Sequence, residues 1–99
     1  MVTRAVEDYL KAIYKLQQDG APATTNDIAE RMGLRAASVT AMLQQLSEQG
    51  LADYTRYHGA SLTERGESAA LRVIRRHRLI ELYLHQHLGV PWDRVHEEA

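Results

Sequence analysis

The chain has 99 residues, no cysteine and a formal net charge of −1, with a pI near 6.5. That length holds one small domain, or one domain and the start of another, and the lack of cysteine excludes a disulfide framework and a thiolate metal site. The near-neutral balance excludes a general basic field, so nucleic-acid binding would have to rest on local contacts and on dimerisation. No segment has the apolar core of a signal peptide or approaches the ~18 apolar residues of a membrane span, which points to a cytoplasmic protein with no membrane partner.

Residues 3–18, TRAVEDYLKAIYKLQQ, put Val6, Leu10, Ile13, Tyr14 and Leu16 mostly on one helical face, with Thr3 as N-cap and Gly20 as the stop. DGAPAT breaks that pattern. In TTNDIAERMG, Thr25 is read as the cap, Asp27 favours the positive helix end, and Ile28, Ala29 and Met32 form an inward stripe. Gly33 supplies the left-handed residue that ends this helix. After GLR, the stretch AASVTAMLQQLSEQG resumes the helical period through Val39, Met42, Leu43 and Leu46, with Gly50 at C′ and Leu51 as its apolar contact. Two short helices joined by a tight glycine-containing turn, the second opening on small polar residues, read as a helix-turn-helix.

LADYTRYHGASLT contains two short strands, through Leu51, Ala52 and Tyr54 and then Ala60 and Leu62, around RYHG, where Gly59 provides turn freedom. A hairpin directly after a helix-turn-helix makes a winged helix. TERGESAALRVIRRHRLIELYLHQHLG then forms one long helix capped by Thr63, with Ala69, Val73, Ile74, Leu79, Ile80, Leu82, Tyr83 and Leu84 as its apolar positions. VPWDRVHEEA opens a new element, with Pro91 in its first turn. The expected fold is mostly α with a small β-hairpin: a winged helix-turn-helix over 1–63, then a long helix and the beginning of a further helical part over 64–99.

A helix that reads the major groove needs small residues at its N-terminus, so that its backbone can approach base edges. RAASVTA meets this need: Ala36, Ala37 and Ala41 offer methyls for thymine contact, and Ser38 and Thr40 add hydroxyls for bases or phosphates. Arg35 is placed to reach a guanine edge or a phosphate, with Gln44 further along. In the wing, Arg56 and His58 flank Tyr57, an arrangement suited to phosphate or minor-groove contact. Arg4 and the helix N-terminus at Thr25 are further candidates for holding phosphates. A winged helix that binds only other proteins is the alternative that these residues leave open.

His77 and Glu81 lie four apart on one helix, so they share a face and can both ligate one ion. His96, Glu97 and Glu98 add imidazole and carboxylate from the next element, and Glu7 and Asp8 offer carboxylates from the first helix. Nitrogen and oxygen donors without thiolate suit divalent manganese, iron, cobalt, nickel or zinc. Ordinary explanations stand beside this one. A His–Glu pair at this spacing is a common surface ion pair, His85 and His87 favour the helix dipole, and RRHR at 75–78 reads as a solvated face. An enzyme finds no support: there is no cysteine, no activated Ser–His pair, no glycine-rich phosphate loop and no pocket-sized constellation away from these donors.

Taken together, VEDYLKAIY, DIAERMGLRAASVTAMLQQL, YTRYHGASLTERG and HRLIELYL followed by LGV and VHEEA resemble the diphtheria toxin repressor and manganese transport regulator family of metal-dependent transcriptional repressors. The resemblance runs the whole length of the chain. It implies a winged-helix DNA-binding domain over 1–63 and, over 64–99, a linker helix and the start of a helical metal-binding and dimerisation domain. It further implies a homodimer on palindromic double-stranded operator DNA, loaded with Mn2+ or Fe2+ and controlling metal-homeostasis genes.

Carried over by position, the resemblance places Asp8 where manganese-type members use an aspartate and iron-type members a methionine, which tilts the metal toward manganese. His77 matches the shared histidine ligand, and Glu81 and His96 match ancillary ligands of the iron-type branch, with Glu97 and Glu98 facing solvent. Lys11 departs from the pattern, since manganese-type members with a two-metal cluster have a glutamate there and a charged lysine cannot ligate. The family places a Cys or Glu, then a Glu and a His, directly after the position of Ala99, so the chain is expected to be a fragment with a truncated dimerisation domain. A metal-independent winged-helix regulator is the main rival.

Overall fold

The computed structural model describes residues 3–18 and 20–89. Among the described residues the elements are α1 (Arg4–Leu16), α2 (Thr25–Met32), α3 (Ala36–Glu48), β1 (Ala52–Thr55), β2 (Gly59–Leu62) and α4 (Glu64–His87). The element expected from Pro91 onward, and His96 with it, lies outside the described residues.

Local signals set most helix ends. The Thr3 hydroxyl accepts from the Val6 N–H at 3.2 Å and starts α1, which ends at Leu16 with Gln17 as its cap, ahead of Gly20. Gly33 closes α2 in the left-handed region (φ 67°), with the Leu34 N–H donating to the Ala29 carbonyl at 3.0 Å. Gly50 (φ 74°) does the same after α3, where the Leu51 N–H donates to the Leu46 carbonyl at 2.9 Å and Leu51 turns into the core.

The cap of α2 differs from the expectation. It is Thr24, whose hydroxyl accepts from the Asp27 N–H at 3.0 Å, and Thr25 is the first helical residue. The cause lies in the preceding residue. Ala23 pairs with Ala60 of β2 through two hydrogen bonds of 2.8 Å, so the chain is held extended up to Thr24. This pairing also gives the wing a third strand position within DGAPAT, a segment that shows no strand signal of its own.

β1 and β2 pair antiparallel, with Ala52 opposite Leu62 and Thr55 opposite Gly59. The turn between them is closed by the His58 N–H donating to the Thr55 carbonyl at 3.0 Å, and the residue with positive φ inside it is Tyr57 (φ 71°). Gly59 therefore does not form the tip. It opens β2 with φ 96°, and a side chain there would collide with the Ala23 carbonyl that the bridge brings close.

Leu10 and Ile13 of α1, Ile28 of α2, and Val39, Leu43 and Leu46 of α3 form the fully buried centre. α1 runs through it, packed against α2, β2 and α4. Gln17 extends this role by accepting the Leu62 N–H at 2.9 Å and donating to Glu67 at 3.2 Å, so one amide joins α1 to the wing and to α4.

α4 starts where α3 ends. Thr63 accepts the Gly66 N–H at 3.1 Å and donates its hydroxyl to the Gly50 carbonyl at 2.7 Å, while Arg65 donates to the Gln49 carbonyl at 3.0 Å. Thr63→Ala should lose both hydroxyl bonds and cost about 1–2 kcal/mol in denaturant unfolding, with Thr63→Ser close to the parent. Equal midpoints for the alanine and serine variants would contradict this double role.

The first half of α4 buries Gly66, Ala69, Ala70 and Val73. The second half does not continue that apolar stripe: Leu79 is 67% exposed and Tyr83 55%, and Ile80 is also exposed, while Glu81 is the residue buried there. Among the described residues no helix is long and apolar enough to cross a membrane.

Candidate nucleic-acid interface and metal-binding face

α3 presents its N-terminal turn outward. Arg35 is the N-cap and makes no side-chain capping bond; it is exposed, as are Ala36, Ala37, Ser38, Ala41 and Gln44. Thr40 is half-buried, and the opposite side of the helix is anchored by Val39, Leu43 and Leu46. The predicted major-groove residues thus share one solvent-facing helix surface fixed from behind by the core.

A groove of about 920 Å³ separates the start of α2, the middle of α3 and the wing. It brings together Thr25, Thr40, Gln44, Arg56 and Tyr57, all predicted contacts. At the tip of the wing the Arg56 guanidinium lies 5.0 Å from the centroid of the Tyr57 ring, which is 87% exposed. This pairs a cation with an aromatic face at the most projecting point of the hairpin. His58 is exposed beside it, and Arg4 is exposed at the start of α1; neither lines the groove.

Asn26, Asp27 and Tyr54 also line the groove and are not among the contacts expected from sequence. For the first two the signal was present, since residues in the first turn of a helix expected to meet phosphate share its position. Asp27 places a carboxylate in the first turn of α2.

On α4, His77 Nδ1 lies 3.0 Å from Glu81 Oε1. Glu81 is the buried charged residue among those described, at 4% exposure, and Arg78 approaches its other oxygen at 4.0 Å. The pair opens into a hollow of about 420 Å³ whose opposite wall is Lys11 and Lys15 of α1. Asp8 is exposed and lines an adjoining hollow with the same two lysines and Arg31. Partial burial, together with the neighbouring charges of Lys11 and Arg31, pushes the Lys15 ammonium below the ordinary lysine pKa, against an opposing pull from Glu81.

His77 and Glu81 therefore meet, Asp8 sits in the next hollow, and His96 lies outside the described residues. Among the described residues no three His, Cys, Asp or Glu side chains gather into a metal-sized cluster. An imidazole nitrogen beside a buried carboxylate fits two ligands of a manganese or ferrous ion, and the facing ammonium groups do not add to that set. Glu7 is engaged elsewhere, since it accepts from Arg76 at 2.7 Å and so ties α1 to α4. The RRHR stretch is thus not simply a solvated face. Lys15 was legible in part: Asp8, Lys11 and Lys15 are spaced i, i+3 and i+7 on one helix, which places them on one side.

A helix-turn-helix, a wing and a long following helix that carries paired metal-type donors define the class of winged-helix DNA-binding regulators. Within that class the chain belongs to the iron-dependent repressor family of metal-dependent transcriptional repressors. Residues 1–60 match its N-terminal DNA binding domain, and residues 63–99 match its metal binding and dimerisation domain.

The HTH-type transcriptional regulator MntR of Lysinibacillus sphaericus is 36% identical over 99 residues, covering 100% of this chain and 70% of that protein. The iron-dependent repressor IdeR of Mycobacterium tuberculosis is 36% identical over 93 residues, covering 94% of this chain and 40% of its own length. Among solved structures, a manganese-dependent transcriptional repressor in complex with manganese superposes with a TM-score of 0.80 at 40% identity, over 93% of this chain and 42% of that one. The chain therefore spans about two-thirds of the manganese-type relative and less than half of the other two.

Proposed function

We propose that the chain acts in a transcriptional repressor that, loaded with Mn2+ or Fe2+, binds double-stranded operator DNA as a homodimer in the cytoplasm and controls metal-homeostasis genes. The observation that carries this reading is the seam between α1 and α4. The His77–Glu81 pair opens onto α1, and α1 is the helix against which α2, β2 and α4 all pack. Anything that fixes α4 against α1 therefore fixes the recognition surface of α3 relative to the rest of the dimer.

Asp8, His77, Glu81 and His96 would hold the ion, which supplies an electrostatic bridge across this seam and takes no part in covalent chemistry. His77 and Glu81 orient each other through their 3.0 Å contact, and the Glu7–Arg76 pair already joins the same two helices. The bridge would favour the arrangement that sets two recognition helices about one DNA turn (~34 Å) apart. Manganese is favoured over iron because Asp8 is a hard oxygen donor.

His77→Ala should weaken Mn2+ uptake by at least ~10-fold in calorimetry and remove the Mn2+ response of operator binding. Equal uptake by the variant would take His77 out of the site. Operator binding indifferent to Mn2+, Fe2+ and chelator would instead support a metal-independent regulator, and failure to bind any duplex at low salt would support a protein-interaction module.

A further inference from the structure

We propose that Lys11 and Lys15 are tethered cations that oppose entry of a divalent ion into the α1–α4 hollow and thereby set the metal concentration at which the chain responds. The proposal rests on the metal-sensing reading above. It starts from the composition of the two adjoining hollows. The first is lined by Lys11, Lys15, Arg75 and Arg78 against the single carboxylate of Glu81. The second sets Lys11, Lys15 and Arg31 against the single carboxylate of Asp8. Both candidate carboxylates are thus outnumbered by basic groups, and the two lysines are common to both.

Among these basic groups Lys11 is the most buried. Arg75 and Arg78 are exposed on α4, where their long side chains can turn into solvent. Lys11 is half-buried on the α1 wall, and Lys15, one turn further along the same face, is exposed like the two arginines. A divalent ion at His77 and Glu81 doubles the Coulomb cost that each ammonium would impose on a monovalent one. Each lysine should therefore lower metal affinity by about tenfold, equivalent to ~1.4 kcal/mol. In the metal-free chain the same charges compensate the buried Glu81, which gives the lysines a structural use as well. Both roles come from the same charge, so removing a lysine should tighten the site and at the same time leave Glu81 less compensated.

The test is Mn2+ binding to the chain, followed by calorimetry and by the electron paramagnetic resonance of free Mn2+ at fixed ionic strength. Variants are Lys11→Gln, Lys15→Gln, the double variant, and Lys11→Arg and Lys15→Arg, with circular dichroism confirming that each is folded. Each glutamine variant should bind about tenfold more tightly, the double variant more tightly still, and the arginine variants like the parent. The gain should shrink as salt is raised, because it is electrostatic. It should also vanish when His77→Ala is added to the double variant. Either lysine alone suffices for the comparison.

Folded glutamine variants that bind Mn2+ no more tightly than the parent would overturn the proposal while leaving the metal-sensing reading intact. The same holds if the arginine variants show an equal gain, or if the gain persists without His77. Absence of Mn2+ uptake by the parent and by every variant would overturn both.

Discussion

Gly66→Ala should destabilise the fold by about 3 kcal/mol, at the upper end of what an added methyl costs in a packed interior. Gly66 is buried in the first turn of α4, and a Cβ there would be driven into the Leu51 carbonyl. That carbonyl cannot retreat easily. It accepts the Thr63 N–H at 3.1 Å, and Leu51 is itself held by its N–H bond to Leu46. The substitution would therefore push apart the corner where α3, the wing and α4 meet. Gly33→Ala is the contrasting comparison: its φ is positive (67°), unlike that of the helical Gly66, but open space surrounds the position. Only the left-handed backbone penalty of about 1 kcal/mol should appear there. Equilibrium denaturation of the two variants decides the matter, and a Gly66→Ala variant within ~0.5 kcal/mol of the parent would show that the approach to Leu51 is not a constraint.

The second large effect concerns DNA. Ala37→Glu should weaken operator binding by at least ~100-fold, because it puts bulk and negative charge where α3 must approach base edges and phosphates. Arg35→Ala or Ser38→Ala should cost less, about tenfold each, through loss of one polar contact. All three residues are exposed and lie away from the core, so stability and Mn2+ uptake should stay at parent levels. Gel shifts at controlled salt give the readout. Unchanged shifts for all three variants would remove the N-terminal turn of α3 from the interface, leaving the wing and the α2 end as the places to look.

The positive φ of Tyr57 bears on the same surface. A tyrosine held in the left-handed region at the tip of a hairpin is stored strain, and the ring it projects is almost wholly exposed beside Arg56. Nothing in the packing of the described residues requires that ring. Its position is consistent with the predicted role of the wing in DNA contact.

What the sequence determined by itself was everything encoded within a turn or two of chain. The caps at Thr3 and Thr63, the left-handed glycines at 33 and 50, the order of helices and hairpin, and the outward placement of Arg35 to Ser38 all depend on neighbours a few residues away. So does the meeting of His77 with Glu81, which one helical turn guarantees. Tertiary structure decided what depends on distant partners. Thr24 replaces Thr25 as a cap because Ala60 holds Ala23 extended, and Gly59 and Gly66 are required because carbonyls from other segments press on them. Glu7 leaves the set of available carboxylates because Arg76, 69 positions away, takes it. Lys11 and Lys15 become the opposite wall of the His77–Glu81 hollow only once α1 and α4 pack, since periodicity places residues on a face but cannot say which face another helix will cover.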